Sequence, residues 1–183
     1  MPQLPSLPET SGLSELFTRF PAHAGPLMVY IDSILRSESG LTPGTRELIA
    51  AYVSGLNKCT FCCSSHDLYA QAFGIAPGTV QALLDDIDTA PVGQKLRPIF
   101  RYVQKLSTLP PRLTPADAQA VFDAGWSEAA LLDAIHVCGA FNLMNRIVEG
   151  AGINFDFTGS GITFDVESSP HSYLNFAKRL GMG

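Results

Sequence analysis

The sequence predicts an all-α protein: a multi-helix bundle with an irregular arm at its C-terminal end. Three observations carry that prediction. Apolar residues recur at helical spacing in successive segments from Gly12 to about Gly150. Helix starts are marked by a capping hydroxyl, with proline in the first turn at Thr42-Pro43 and Thr114-Pro115 and a serine cap at Ser127. The connections are short, and short connections make successive helices antiparallel neighbours. At 183 residues the chain makes one domain, 1–183, long enough for a real core.

Residues 1–11 hold three prolines and read as an extended lead-in. Gly12–Phe20 is a short amphipathic helix, with Leu13, Leu16, Phe17 and Phe20 on one face, stopped by Pro21. His23 lies in the following loop without a local partner and reads as a surface or hinge residue. Pro26–Arg36 is a second helix. Thr42 caps a third, whose apolar pattern runs through Leu48, Ile49, Ala51, Tyr52, Val53 and Leu56. Gly55–Lys58 is a short break with Asn57 as the cap of a fourth helix, from about Lys58 to Phe73, ended by Gly74. Ile75-Ala76-Pro77 opens a helix to about Asp86, and Asp85, Asp86 and Asp88 read as its solvated end.

Lys95–Ser107 is the next helix, with Arg97, Arg101 and Lys105 as a basic stripe suited to solvent or to subunit salt bridges. Leu113-Thr114-Pro115 echoes Leu41-Thr42-Pro43, a weak internal repeat compatible with two related helical hairpins. A helix over about Pro115–Ala124, a turn at Gly125–Ser127 and a long helix to about Gly150 follow. The long helix is nearly all apolar from Ala129 to Met144, which predicts a central, buried position. On it, His136 reads as a satisfied core histidine and Cys138 as a small core residue. Asn142, Asn145, Arg146 and Glu149 form a polar stripe that needs partners, in a subunit contact or in bracing the third and fourth helices. In the tail, 153–157 and 162–166 alternate apolar and polar residues around Gly159-Ser160-Gly161, the pattern of a small hairpin pinned on the domain or on a neighbouring subunit. A short helix over about Ser172–Leu180 closes the chain.

Composition limits the function classes. Charged residues are 16%, below the roughly 25% of typical soluble chains. Apolar residues are 46%, and apolar surface in excess on a chain of this size points to subunit contacts and a homo-oligomer. The net charge of −5 leaves no basic footprint for nucleic acid. No apolar run reaches about 18 residues, so no membrane span is expected. The start lacks a charged region followed by an apolar one, so no signal peptide is expected and the cytoplasm is the default. There a Cys-x-x-Cys is kept reducible.

The chemistry is concentrated between Glu47 and His66. A carboxylate, eleven residues, Cys59-x-x-Cys62, three residues and an imidazole follow one another. If the two helices fold back about Gly55–Asn57, Glu47 faces His66. Cys59, Cys62 and His66 fall at i, i+3 and i+7 along one face, and Cys62 and His66 are i, i+4 neighbours. The cysteines sit in the first turns of their helix, where unpaired N–H groups and the dipole favour a thiolate. His66 can take a thiol proton, and Glu47 can fix its tautomer and stabilise the imidazolium. A zinc reading fails on ligand count: one rigid helix cannot wrap Cys59, Cys62, Cys63 and His66 around a single ion, and no second Cys-x-x-Cys or His pair exists. Buried structural cysteines would explain the three sulfurs but not Glu47 in register with His66.

Glu-x11-Cys-x2-Cys-x3-His resembles the motif of the alkylhydroperoxidase D-like superfamily, which includes the carboxymuconolactone decarboxylases. Glu47, Cys59, Cys62 and His66 match it position for position. LTPGTRELIAAYVSGLNKC (41–59) and FNLMNRIVEG (141–150) look most like its peroxidase-related branch. The resemblance covers about 25–152 and leaves 153–183 as an arm without an obvious counterpart in shorter members. It implies an oligomeric helical bundle acting as a thiol peroxidase or disulfide reductase, with Cys62 attacking a hydroperoxide, Cys59 resolving the sulfenate, His66 as base and Glu47 orienting it. It also implies an external thiol reductant and no metal or organic cofactor. The sequence departs from the best-known peroxidases of the family at Phe61, where they carry another histidine. Two alternatives remain open on the sequence: a carboxymuconolactone decarboxylase-like enzyme, which does not require two redox thiols, and a non-enzymatic dithiol redox sensor.

Overall fold

The computed structural model describes residues 2–170 and 172–181. They form nine α-helices: α1 (Leu13–Arg19), α2 (Ala24–Arg36), α3 (Pro43–Leu56), α4 (Thr60–Ala72), α5 (Thr79–Asp85), α6 (Arg97–Ser107), α7 (Pro115–Asp123), α8 (Glu128–Ala151) and α9 (Ser172–Arg179). Short 3-10 turns over Pro21–His23 and Gln94–Leu96 precede α2 and α6. Among the described residues there is no β-strand, and no helix is long and apolar enough to cross a membrane.

α3 is the axis of the molecule. Every residue from Gly44 to Gly55 is buried, because α4, α5, α6 and α8 pack around it. A helix apolar on all sides has its place at the centre of a bundle. Thr42 caps it as expected, its hydroxyl accepting from the Thr45 N–H at 3.1 Å, and Pro43 occupies the first turn. Tyr52 of α3 meets Phe100 of α6 edge to face, with ring centroids 5.4 Å apart. The matching start at Thr114 is also a cap, closed into a capping box with Asp117.

The reversal between α3 and α4 is tighter than the sequence suggests. Gly55 does not break α3 but lies inside it, and a Cβ there would come within 2.6 Å of Leu84 on α5. Its glycine therefore serves close packing rather than a turn. Asn57 ends α3 instead of starting α4, Lys58 takes the left-handed conformation (φ 61°), and Cys59 is the N-cap of α4.

α8 is buried on one face only. Ala134, Val137, Cys138, Phe141 and Val148 point into the core, whereas Leu132, His136 and Leu143 are exposed. His136 is thus a surface histidine, paired with the Tyr30 hydroxyl at 2.9 Å. Cys138 is a core residue, as its small size suggests. The basic stripe of α6 finds acids of its own chain: Arg101 pairs with Asp88, and Lys105 with Asp117 at 2.5 Å. His23 is exposed in its 3-10 turn.

The expected hairpin in the tail is absent. Residues 153–170 run as an irregular segment turning at 158–160, where Ser160 N–H bonds back to the Phe157 carbonyl at 3.1 Å. Its alternating apolar residues do not pair with each other as a ladder. Phe157 packs edge-on to Phe61, and Phe164 stacks on Tyr69 with centroids 3.8 Å apart and planes 6° from parallel. An isolated two-stranded ribbon is marginal in water, and ring burial against the bundle is the stronger alternative. α9 then packs on α2.

Candidate active site

The α3–α4 reversal sets Glu47 opposite His66. Glu47 is fully buried, and its Oε2 lies 2.6 Å from His66 Nδ1. Its Oε1 accepts a hydrogen bond from a guanidinium nitrogen of Arg36, the last residue of α2. From α9, the Tyr173 hydroxyl comes within 3.4 Å of both Glu47 Oε1 and His66 Nδ1, and its ring stacks on the imidazole at 6.2 Å. The edge of Phe141 packs against the imidazole from α8 at 4.3 Å. Arg36 itself lies over the rings of Phe73, Tyr173 and Tyr69 at 4.8, 5.2 and 5.8 Å.

Charge in this cluster is balanced. Burial alone would push the Glu47 carboxyl up, but the charge and hydrogen bond of His66, then those of Arg36, outweigh it and hold the carboxyl below its usual range. Burial opposes the charge on Arg36, and Glu47 with Tyr173 more than restores it. Burial, then the Glu47 charge, pushes the Tyr173 phenol well up, so it remains a neutral donor. With Glu47 ionised, the proton of a neutral His66 belongs on Nδ1. That tautomer leaves Nε2 as the basic nitrogen.

The sulfurs lie at the start of α4. Cys59, Cys62, Cys63 and Cys138 are all free thiols. Cys59 and Cys62 are buried, at 0% and 2% exposure. A hydrogen bond to Cys59, then burial, pushes the Cys62 thiol well above its ordinary value, and a hydrogen bond from Asn145 pulls the other way. The two cysteines of the motif are neighbours, Cys59 at the N-cap of α4 and Cys62 in its first turn. The anticipated meeting of His66 and Cys62 takes another form. Among the described residues no hydrogen bond joins them, but both open onto one chamber of about 610 Å³. Cys63, half-buried, is pushed up to about 11 by burial and then by the charge of Asp67. It shares with Cys59 a smaller crevice of about 350 Å³ on another side of α4.

The polar stripe of α8 braces this arrangement. The Asn57 amide donates to Asn142 Oδ1 at 3.0 Å and to Asn145 Oδ1 at 2.8 Å. Asn145, fully buried, donates to Ser54 Oγ at 3.0 Å. The reversal that presents Cys59 and Cys62 is thus tied to α8 at Ser54 and Asn57. Among the described residues no group of three or more His, Cys, Asp or Glu side chains could hold a metal ion.

All four sequence-derived residues are brought together, Glu47 with His66 and Cys59 with Cys62. Two partners escaped the sequence. Arg36 read only as the end of a helix, although a charged residue closing an apolar helix is a signal for a partner. Tyr173 lies in the tail, where no periodicity marks it.

The model of the carboxymuconolactone decarboxylase family matches residues 22–105. The fold resembles an uncharacterised peroxidase-related protein from Ralstonia eutropha JMP134 described as an alkylhydroperoxidase AhpD core. The two are 21% identical over 76% of this chain and 74% of that one, with a TM-score of 0.71. An uncharacterised peroxidase-related protein from Silicibacter sp. TM1040 is 21% identical over 81% of this chain and 78% of that one, with a TM-score of 0.73. A protein of unknown function from Agrobacterium tumefaciens is 20% identical over 76% and 94%, with a TM-score of 0.63. No curated protein matches the chain.

Proposed function

We propose that this chain is a thiol-dependent peroxidase of the alkylhydroperoxidase D-like and carboxymuconolactone decarboxylase superfamily, a reading that the family match over 22–105 and the shared fold support. The observation that carries the reading is a Glu47-anchored imidazole opening onto the same chamber as a cysteine with a second cysteine one helical turn away. An acid–base pair beside an inert sulfur would need no partner thiol. A dithiol without the pair would lack a base.

In this reading the Cys62 proton passes to His66 Nε2, and Glu47 stabilises the imidazolium. The Cys62 thiolate attacks the terminal oxygen of a hydroperoxide. The O–O bond breaks, the alkoxide takes a proton from the imidazolium and leaves as an alcohol, and Cys62 is oxidised to the sulfenic acid. The Cys59 thiolate then attacks Cys62 Sγ, expels hydroxide as water once protonated, and forms the Cys59–Cys62 disulfide. Two equivalents of an external thiol reduce that disulfide and are themselves oxidised to one disulfide. Cys59 and burial push the Cys62 thiol up, opposite to the thiolate that its place in the first turn of α4 suggests, so in this reading removal of its proton falls to His66. The pairing of two free cysteines at the start of α4 supports this chemistry over lactone or decarboxylation chemistry, which uses no sulfur pair.

The test is consumption of a hydroperoxide with a dithiol reductant. Cys62→Ser is expected to abolish turnover, and Cys59→Ser to stall the protein as a sulfenic acid that a dimedone-type probe traps. Equal rates for wild type and Cys62→Ser reject the reading.

A further inference from the structure

The chamber at Cys62 is only partly built by the bundle. α4 and α8 supply its floor, where Cys62 and His66 open, and α1 and α2 add Leu13, Glu15, Met28 and Ile31 to its wall. The arm supplies Phe155, Phe157, Ile162, Phe164, Tyr173 and Phe176. These rings are anchored. Phe164 stacks on Tyr69, Phe157 meets Phe61 at 5.5 Å, and Phe176 meets Phe17 at 6.3 Å. The arm's backbone is fixed at several points: the Phe157 N–H donates to Ser64 Oγ at 3.0 Å, and the Pro170 carbonyl accepts from Arg36 Nε at 2.8 Å. The arm lies outside the segment that the family model matches, 22–105.

The size and lining of this chamber select an occupant. A volume of about 610 Å³ holds on the order of twenty water volumes at about 30 Å³ each. That is the range of pockets that enclose drug-sized ligands, about 300–1,000 Å³. Hydrogen peroxide would occupy a small corner and leave the aromatic walls wet. A hydroperoxide with an aromatic or branched apolar body would fill the chamber and bury its body on the arm, with the peroxide group directed at Cys62.

We propose that the arm, residues 153–170 with α9, is the specificity element of this protein: it completes an aromatic chamber at Cys62 that takes hydroperoxides with bulky apolar or aromatic bodies in preference to hydrogen peroxide. The proposal rests on the peroxidase reading for turnover, but the chamber's occupancy can be measured without it. The probes are cumene hydroperoxide, hydrogen peroxide and 2-phenyl-2-propanol, the alcohol that corresponds to reduced cumene hydroperoxide.

For the full chain, kcat/KM for cumene hydroperoxide is expected to exceed that for hydrogen peroxide by about tenfold or more, the scale of apolar-pocket discrimination. Phe164→Ala is expected to lower that ratio by about tenfold. So is Ile162→Trp, which fills the chamber from a partly exposed position and does not empty a core site. Circular dichroism confirms that each variant is folded, and Ile162→Trp keeps the test decisive if Phe164→Ala does not fold. A ratio near one in the wild type, or a ratio unmoved in the folded variants, overturns the proposal. 2-Phenyl-2-propanol binding by calorimetry separates the two claims. Binding that the variants weaken, with no turnover of either hydroperoxide, sustains the chamber and rejects the peroxidase reading. Turnover without any such binding overturns the chamber alone.

Discussion

The α3–α4 hairpin and the C-terminal arm both touch His66, but they hold it in different ways. The hairpin is embedded: α3 is buried from Gly44 to Gly55, and its reversal is tied to α8 by Asn57, Asn142 and Asn145. The arm is laid on: it reaches the imidazole through Tyr173 and is pinned by rings and a few separate hydrogen bonds. Embedded elements open only with the whole fold, whereas laid-on elements open locally and more easily. Rigid placement of the acid and base therefore falls to the hairpin, and the shape of the chamber falls to the arm.

The largest expected effect comes from breaking the embedded side. Glu47→Gln removes the counter-charge of Arg36 and the partner of His66. Stability to urea is expected to fall by about 3–5 kcal/mol, the cost of leaving a buried charge unpaired. Peroxide turnover is expected to fall by about 10²–10⁴-fold, the scale of a general-base contribution. The same variant checks the pH dependence. Glu47 is held below its unfolded value, so its contribution is complete above that value, about 4.3, and is lost as the pH falls through the lower folded value. Wild-type stability should decline across that acid window, and the decline should be shallower in Glu47→Gln.

A middle-sized effect is expected at the brace. Asn145→Ala takes one partner from buried Ser54 and one from half-buried Asn57 and should cost about 1–3 kcal/mol. It also removes a group that opposes the upward push on Cys62, so alkylation of that thiol at a fixed pH should slow. The smallest effect is expected on the laid-on side. Tyr173→Phe keeps the ring and loses two 3.4 Å contacts. It should change global stability by no more than about 1 kcal/mol, while amide exchange in α9 becomes faster. A global loss as large as that of Glu47→Gln would erase the distinction between the two regions.

The same division explains what could be read in advance. The hairpin is specified locally, by a capped apolar period, a short reversal and groups spaced for two antiparallel helices; Glu47 and His66 meet as that spacing requires, whereas Cys62 shares a chamber with His66 without a hydrogen bond to it. α4 starts about two residues later than the sequence suggests, because Asn57 and Lys58 look like a cap and first turn in isolation; the α8 asparagines and the close approach of Leu84 to Gly55 decide otherwise. Period-two alternation in 153–166 suggested strands because alternation reports which residues seek burial, not what they are buried against. The partners of Phe157 and Phe164 are rings about a hundred residues earlier, at Phe61 and Tyr69. Likewise α8 is apolar along its length, yet Leu132 and Leu143 face outward, since its neighbours cover one side only.

Arg36 spans the two regions with a single rigid plane. One nitrogen of its guanidinium holds the Glu47 carboxylate, and another holds the Pro170 carbonyl at 2.8 Å. A planar fork cannot pivot toward one partner without turning from the other. Displacement of the tail by an incoming molecule would thus be felt as a change in the acidity of a carboxylate it never touches, and the protonation of that carboxylate would in turn alter how firmly the tail is held.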